Sequence, residues 1–175
     1  MITVGQKCPD FEVAALKGED VTSKVKLSDY EGKWLCLYFY PLDFTFVCPT
    51  EIKAFSDAAP DFEDRNCAIL GGSCDSVYSH LGWVKAKDEL KGLKHPLIAD
   101  YTKSLSRSLG IINDQMGVSQ RATFLIDPQG IVRFVYVTDL SVGRNPAEVL
   151  RVLDALQTDE LCPCNWKPGQ PTIKV

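Results

Sequence analysis

Trp34-Leu-Cys-Leu-Tyr-Phe-Tyr40, followed at once by Pro41-Leu-Asp-Phe-Thr-Phe-Val-Cys48-Pro-Thr-Glu-Ile52, is the stretch on which the fold turns. Residues 34–40 are apolar on both faces and rich in aromatics, the pattern of a strand buried mid-sheet. Beyond Pro41 and a short loop, Thr50 to Arg65 has helical spacing, with Ile52, Phe55, Ala59 and Phe62 on one side. Working outward, Cys67-Ala-Ile-Leu-Gly-Gly reads as a second strand, and a second helix begins at Val77. Pro96 to Asp100 reads as a short strand and Lys103 to Leu109 as a short helix. Ala122–Asp127 and Ile131–Val137 flank Pro128-Gln-Gly, a hairpin turn. Asn145 caps a helix that opens with Pro146 and runs through Leu156. Two β-α units, a hairpin and a covering helix predict an α/β fold with a mixed central sheet flanked by helices.

The 175 residues suit one domain, read as 1–157, with an irregular Pro-rich tail at 158–175. Nineteen basic against 23 acidic residues give a net charge of −4, no footprint for nucleic acid or an anionic membrane surface. The longest apolar run, 34–40, is far short of the roughly 20 residues of a membrane span. The first residues, Met1-Ile-Thr-Val-Gly-Gln-Lys, lack the apolar core of a signal peptide, so a cytoplasmic protein is expected.

Seven cysteines stand at 8, 36, 48, 67, 74, 162 and 164, with no Cys-x-x-Cys pair. That spacing weakens both a zinc ribbon and a thioredoxin-type redox motif. In a reducing compartment each is either a small hydrophobe or a reactive group. Cys36 and Cys67 read as core, Cys74 as structural, and Cys8 carries no signal.

Cys48 is different. Pro49 suits the first position of a helix, which places Cys48 at or near the N-cap and Glu51 at the third helical position. The sulfur then faces free backbone N–H groups and the positive helix end. An activated thiol held near 6 instead of about 8.5 prefers its anion by roughly 3.4 kcal/mol. A helix end supplies about 0.3–1 kcal/mol, and a charge-assisted hydrogen bond about 1.5–3 kcal/mol, so a cation is required. Arg121 qualifies, because it starts a strand antiparallel to the first and so lies at the edge where the loop after Tyr40 lies. Thr45 is close enough in sequence to donate to the sulfur or to a substrate oxygen, and Pro41 shields the site while offering no donor.

The segment Tyr40–Ile52 resembles the Pro-x-x-x-Thr-x-x-Cys signature of peroxiredoxins, in their typical two-cysteine, alkyl hydroperoxide reductase C-like version. The similarity extends through Pro9-Asp-Phe, Phe124-Leu-Ile-Asp-Pro, Val142-Gly-Arg and Cys162-Pro…Trp166-Lys-Pro-Gly. The resemblance implies a thioredoxin-like fold and thiol-dependent reduction of hydroperoxides. It makes Cys48 the peroxidatic cysteine, Thr45 and Arg121 its hydrogen-bonding partners, Pro41 the shielding proline and Cys162 the resolving cysteine. Glu51 and Arg144 fall at positions that hold the arginine and the active-site loop. It further implies a homodimer with an intersubunit Cys48–Cys162 disulfide, assembly to a decameric or dodecameric ring, no cofactor, and a thioredoxin-like or dedicated dithiol reductase as electron donor.

The chain departs from that pattern in three places. Cys164 is an extra, auxiliary thiol; Lys91-Gly-Leu-Lys replaces a glycine-rich loop; and no Tyr-Phe-bearing helix precedes the end at Val175. The turn around Cys48 is therefore expected to be held by few tertiary contacts, and the protein to resist inactivation by excess peroxide. His80 and His95 read as solvated or capping residues, and Trp83 and Phe44 as core aromatics. Two other readings are a disulfide oxidoreductase, disfavoured by the missing Cys-x-x-Cys, and a chaperone-like holdase without turnover.

Overall fold

The structure is a computed structural model that describes residues 1–174; Val175, where the expected lack of a terminal helix falls, lies outside them. Among the described residues, nine strands and five α-helices follow in the order β1 (Glu12–Leu16), β2 (Lys24–Lys26), β3 (Trp34–Phe39), α1 (Cys48–Asp57), α2 (Ala59–Glu63), β4 (Cys67–Ser73), α3 (Val77–Ala86), β5 (Leu97–Ala99), α4 (Ser104–Leu109), β6 (Ile112–Asn113), β7 (Val118–Ser119), β8 (Arg121–Ile126), β9 (Val132–Thr138) and α5 (Pro146–Gln157). Seven strands form one sheet in the order β2-β1-β5-β4-β3-β8-β9, with β3, β4 and β5 parallel and the others antiparallel to their neighbours. This is the mixed sheet the sequence predicts, and β3, apolar on both faces, lies inside it between β4 and β8.

Alternation along β3 divides the core. Cys36 and Tyr38 face a layer with Ile52, Phe55, Trp83, Val149 and Leu153 from α1, α3 and α5. Leu35, Leu37 and Phe39 face Leu105, Leu109, Phe124 and Val132 on the other side. The helix expected over Thr50–Arg65 is broken in two near Ala58, where Pro60 lacks the N–H that would continue the ladder. β1, β2, β6 and β7 carry too little periodicity to be read from sequence. At the far end, Asn145 Oδ1 accepts from the Ala147 N–H at 3.0 Å, a cap worth about 1 kcal/mol to α5.

The tail is irregular but docked. Trp166 is buried, its carbonyl accepts from Arg151 Nη1 at 3.0 Å, and the Ile173 N–H bonds the Leu161 carbonyl at 2.8 Å. Among the described residues no helix is long and apolar enough to cross a membrane.

Candidate active site

Cys48 is the first residue of α1 and is fully buried. Val47 is the N-cap, in helical backbone conformation and without a side-chain cap, so Pro49 takes the second helical position and Glu51 the fourth. The expected register is thus one residue late. The Val47 carbonyl accepts from the Thr50 and Glu51 amides at 3.1 and 3.4 Å and from the Thr50 hydroxyl at 2.6 Å. Those amides do not face the sulfur, contrary to the expectation from the helix end.

A side chain does. Thr123 of β8 pairs with Tyr38 of β3, so Arg121, two residues earlier, lies level with Tyr40 where β3 ends. Its Nη1 donates to the Cys48 sulfur at 3.2 Å and to Glu51 Oε2 at 2.5 Å, while Nε donates to the Leu140 carbonyl at 2.8 Å. Glu51 Oε1 accepts from Arg144 Nε at 2.7 Å and from the Arg144 backbone N–H at 3.0 Å. Arg144 Nη1 donates to the Ala122 carbonyl at 2.8 Å, and its guanidinium lies over the Tyr38 ring, 5.4 Å from the centroid. Tyr38 in turn stacks on Phe55 at 4.2 Å.

All four groups are buried: Cys48, Glu51, Arg121 and Arg144 are no more than 6% exposed. Two guanidiniums against one carboxylate leave one uncompensated positive charge away from water, a costly arrangement. The Cys48 sulfur is the group that this excess charge faces, at 3.2 Å from Arg121 Nη1. Arg121 is thus the cation beside the sulfur, and burial strengthens the contact by excluding water.

Glu51 also ties the first turn of α1 to β8 and to the segment before α5. That corrects the expectation of a turn with few tertiary contacts, and with it the premise for resistance to excess peroxide. Thr45 is half-buried, and its hydroxyl donates to the Leu42 carbonyl at 2.9 Å rather than to the sulfur, because the loop turns back on itself there. Pro41 is buried two residues beyond the end of β3.

The loop has a support that sequence reading missed. His80, read as solvated or capping, is fully buried on α3: Nε2 donates to the Ile98 carbonyl at 2.8 Å, and Nδ1 lies 2.8 Å from Asp43 Oδ2. The Tyr40 hydroxyl donates to Asp43 Oδ1 at 2.9 Å, and the Asp43 N–H donates to Asp75 at 2.9 Å. Val77, His80, Trp83 and Val84 share the buried face of α3, a spacing that was visible in the sequence. His95 is buried as well. Trp83 is core, but Phe44, at a positive φ of 56°, is largely exposed while resting against Trp83.

All seven thiols are free. Burial pushes Cys36 well up, and Cys8 and Cys67 to about 12, which keeps them protonated and inert. Cys74 is raised by burial and lies 3.7 Å from Ser106 Oγ. Cys162 is half-buried beyond α5, its sulfur 3.4 Å from Thr158 Oγ1 and 3.7 Å from the Ala155 carbonyl, and Cys164 is exposed.

Residues 4–135 match the family model described as the AhpC/TSA family. The chain belongs to that family. Residues 156–175, which hold both tail cysteines, match the model for the C-terminal domain of 1-Cys peroxiredoxin. Within the AhpC/TSA family, the chain is 47% identical to alkyl hydroperoxide reductase C of Mycolicibacterium smegmatis, over 99% of this chain and 94% of that one. It is 48% identical to peroxiredoxin-2 of Mus musculus, over 98% and 89%. Among solved structures, the reduced 2-Cys peroxiredoxin of Plasmodium vivax superposes with a TM-score of 0.93 at 42% identity, covering 98% of this chain and 92% of that one. Mycobacterium tuberculosis AhpC gives 0.86 at 43% identity, over 95% and 99%. The fold is that of the peroxiredoxins, thioredoxin-like.

Proposed function

We propose that this chain is a peroxiredoxin that reduces hydrogen peroxide and organic hydroperoxides through Cys48. The observation that carries this reading is Arg121 Nη1 at 3.2 Å from a buried sulfur, within a cluster that lacks one negative charge. The Cys48 thiolate attacks the hydroxyl oxygen of the peroxide, the O–O bond breaks, and hydroxide or alkoxide leaves and takes up a proton. Arg121 stabilises charge on the oxygens as it moves off sulfur. Cys48 is left as a sulfenic acid, which condenses with a second thiol, releasing water and forming a disulfide.

Cys162 is the second thiol in this proposal, supplied by the tail 158–175 of a partner subunit, with Cys164 as an auxiliary. A sulfur fully buried in the first turn of α1 cannot reach disulfide geometry with a tail thiol until that turn unwinds. A thioredoxin-like or dedicated dithiol reductase returns both cysteines to thiols. A homodimer assembling to a decameric or dodecameric ring, and a cytoplasmic location, complete the proposal. The likeness to alkyl hydroperoxide reductase C and 2-Cys peroxiredoxin supports it.

Dithiothreitol-driven peroxide consumption tests the reading. Wild type consumes peroxide and Cys48→Ser does not, with an unchanged circular dichroism spectrum. Near-wild-type turnover in the variant would overturn the assignment, and absence of turnover in both would favour a holdase.

A further inference from the structure

Tyr38 of β3 pairs with Gly71 of β4, and its side chain leans across that glycine. A Cβ on Gly71 would fall 2.5 Å from Tyr38 Cζ and 2.6 Å from the hydroxyl oxygen, so only glycine leaves room for the ring there. The hydroxyl thereby reaches His95, just ahead of β5, whose Nε2 lies 2.7 Å away. Burial keeps the Tyr38 hydroxyl protonated and the imidazole neutral, lowering the latter to about 4, so the O–H donates and Nε2 accepts. The Phe55 ring of α1 stacks on Tyr38 at 4.2 Å, the two planes 13° apart. Three parts of the fold thus hold one ring: β4 by its bare backbone, the segment before β5 by a hydrogen bond, and α1 by a stack.

Arg144 is the charged group this ring meets. Its side chain is fully buried, and its Nε and Nη1 donate to Glu51, the Ala122 carbonyl and the Thr123 hydroxyl. Nη2 has no hydrogen-bond partner among the described residues. The Arg144 Cζ lies 5.4 Å from the Tyr38 centroid and 6.0 Å from that of Phe55. Aromatic rings at that range attract a guanidinium, the more so where water is excluded. The two rings therefore stand in for the acceptor that Nη2 lacks. Arg144 in turn holds Glu51 Oε1, and Glu51 Oε2 holds the Arg121 nitrogen that donates to the Cys48 sulfur. An unbroken chain of contacts runs from Tyr38 to that sulfur.

We propose that Tyr38 is a positioning residue for the peroxide reaction: its ring fixes the Arg144 guanidinium and, through Glu51, sets Arg121 against the Cys48 sulfur. This inference rests on the reading of Cys48 as the peroxidatic thiol. Without the ring, Arg144 keeps its oxygen partners but loses what offsets its unpaired buried edge, and it shifts toward other acceptors. Glu51 Oε1 follows it, and the aim of Oε2 at Arg121 is lost. A displacement of about 1 Å in a positioning group can cost about 10²-fold in rate. Tyr38 acts through these side chains and not on the peroxide itself.

Stopped-flow rates of the reduced full chain with hydrogen peroxide test it on two double variants. Tyr38→Phe/His95→Leu keeps the ring and removes the polar pair, whereas Tyr38→Leu/His95→Leu removes the ring as well. Urea unfolding establishes that each is folded under the assay conditions. The phenylalanine variant stays within about threefold of the wild-type rate, and the leucine variant falls at least about tenfold below it. A ring that only filled space would change stability alone, and the two folded variants would then react alike. Tyr38→Met/His95→Leu refills the space with a flexible side chain and no aromatic face; it is expected to be as slow, and it replaces the leucine variant if that one does not fold. A ringless variant within about threefold of its phenylalanine counterpart would overturn the role of Tyr38 and leave Cys48 as the peroxidatic thiol. So would a phenylalanine variant as slow as the ringless one. No reaction in the wild type would instead overturn the reading of Cys48, and this inference with it.

Discussion

Glu51 Oε2 lies 2.5 Å from Arg121 Nη1, the nitrogen whose other hydrogen points to the Cys48 sulfur 3.2 Å away. One carboxylate thus aims the guanidinium at the Cys48 sulfur, while its second oxygen is held by Arg144. The residue that positions the cation also anchors the turn carrying the sulfur.

Glu51→Gln keeps the shape and removes the charge between two buried guanidiniums. Breaking such a buried pair costs about 3–5 kcal/mol of stability, read by urea unfolding. The second-order rate with peroxide falls by at least about tenfold in the fraction that remains folded, as the arginine loses its aim. Unchanged rate and stability together would show that Glu51 positions nothing.

Arg121→Gln is expected to lower the peroxide rate by about 10²–10³-fold, the usual cost of deleting one donor to developing charge. Stopped-flow fluorescence measures it, and circular dichroism checks the fold. A rate within threefold of wild type would leave the sulfur's contact with Arg121 without a catalytic role.

Non-reducing gels after one equivalent of peroxide separate the tail thiols. Cys164→Ser should form the covalent dimer as wild type does. Cys162→Ser should lose it, apart from what the exposed Cys164 captures. An unshifted monomer in wild type would rule out the intersubunit disulfide.

The clamped first turn reverses one expectation taken from the sequence. Resolution must break the Glu51–Arg121 and Glu51–Arg144 pairs before a second peroxide arrives. Mass spectrometry during turnover with excess peroxide should therefore find Cys48 sulfinic acid accumulating. Persistent absence of it would mean that the turn opens despite its ion pairs.

His95 ties stability to pH. Burial lowers it to about 4 in the fold, against 6.5 for the free side chain. Between those values the unfolded chain binds the extra proton. Stability is thus complete above about pH 6.5 and falls as the pH drops toward 4, by about 3 kcal/mol. Urea titrations at pH 7 and pH 4 should show a loss smaller by that amount in Tyr38→Phe/His95→Leu, where the titrating ring and its orphaned partner are both removed. Equal losses would assign the acid sensitivity to other groups.

The sequence by itself determined the elements that a short window specifies. The two-sided apolar run of β3, the Pro128-Gln-Gly turn and the Asn145-Pro146 helix start each depend on neighbours within a few residues. The Cys48-Pro49 helix start is of the same kind, wrong by one residue because the cap at Val47 uses backbone rather than side chain. Thr45 was named from proximity along the chain, yet the turn of the loop directs its hydroxyl to Leu42. His80 was legible from the buried face of α3 and was passed over. What only the tertiary structure decided are the pairs Arg121–Glu51 and Arg144–Glu51, which join residues 70 and 93 positions apart. His95 against Tyr38, 57 apart, is another. No periodicity reports on such pairs, because their geometry exists only once the sheet order has brought β3, β5 and β8 together. The positive charge left over beside Cys48 by two guanidiniums on one carboxylate is a property of the closed fold.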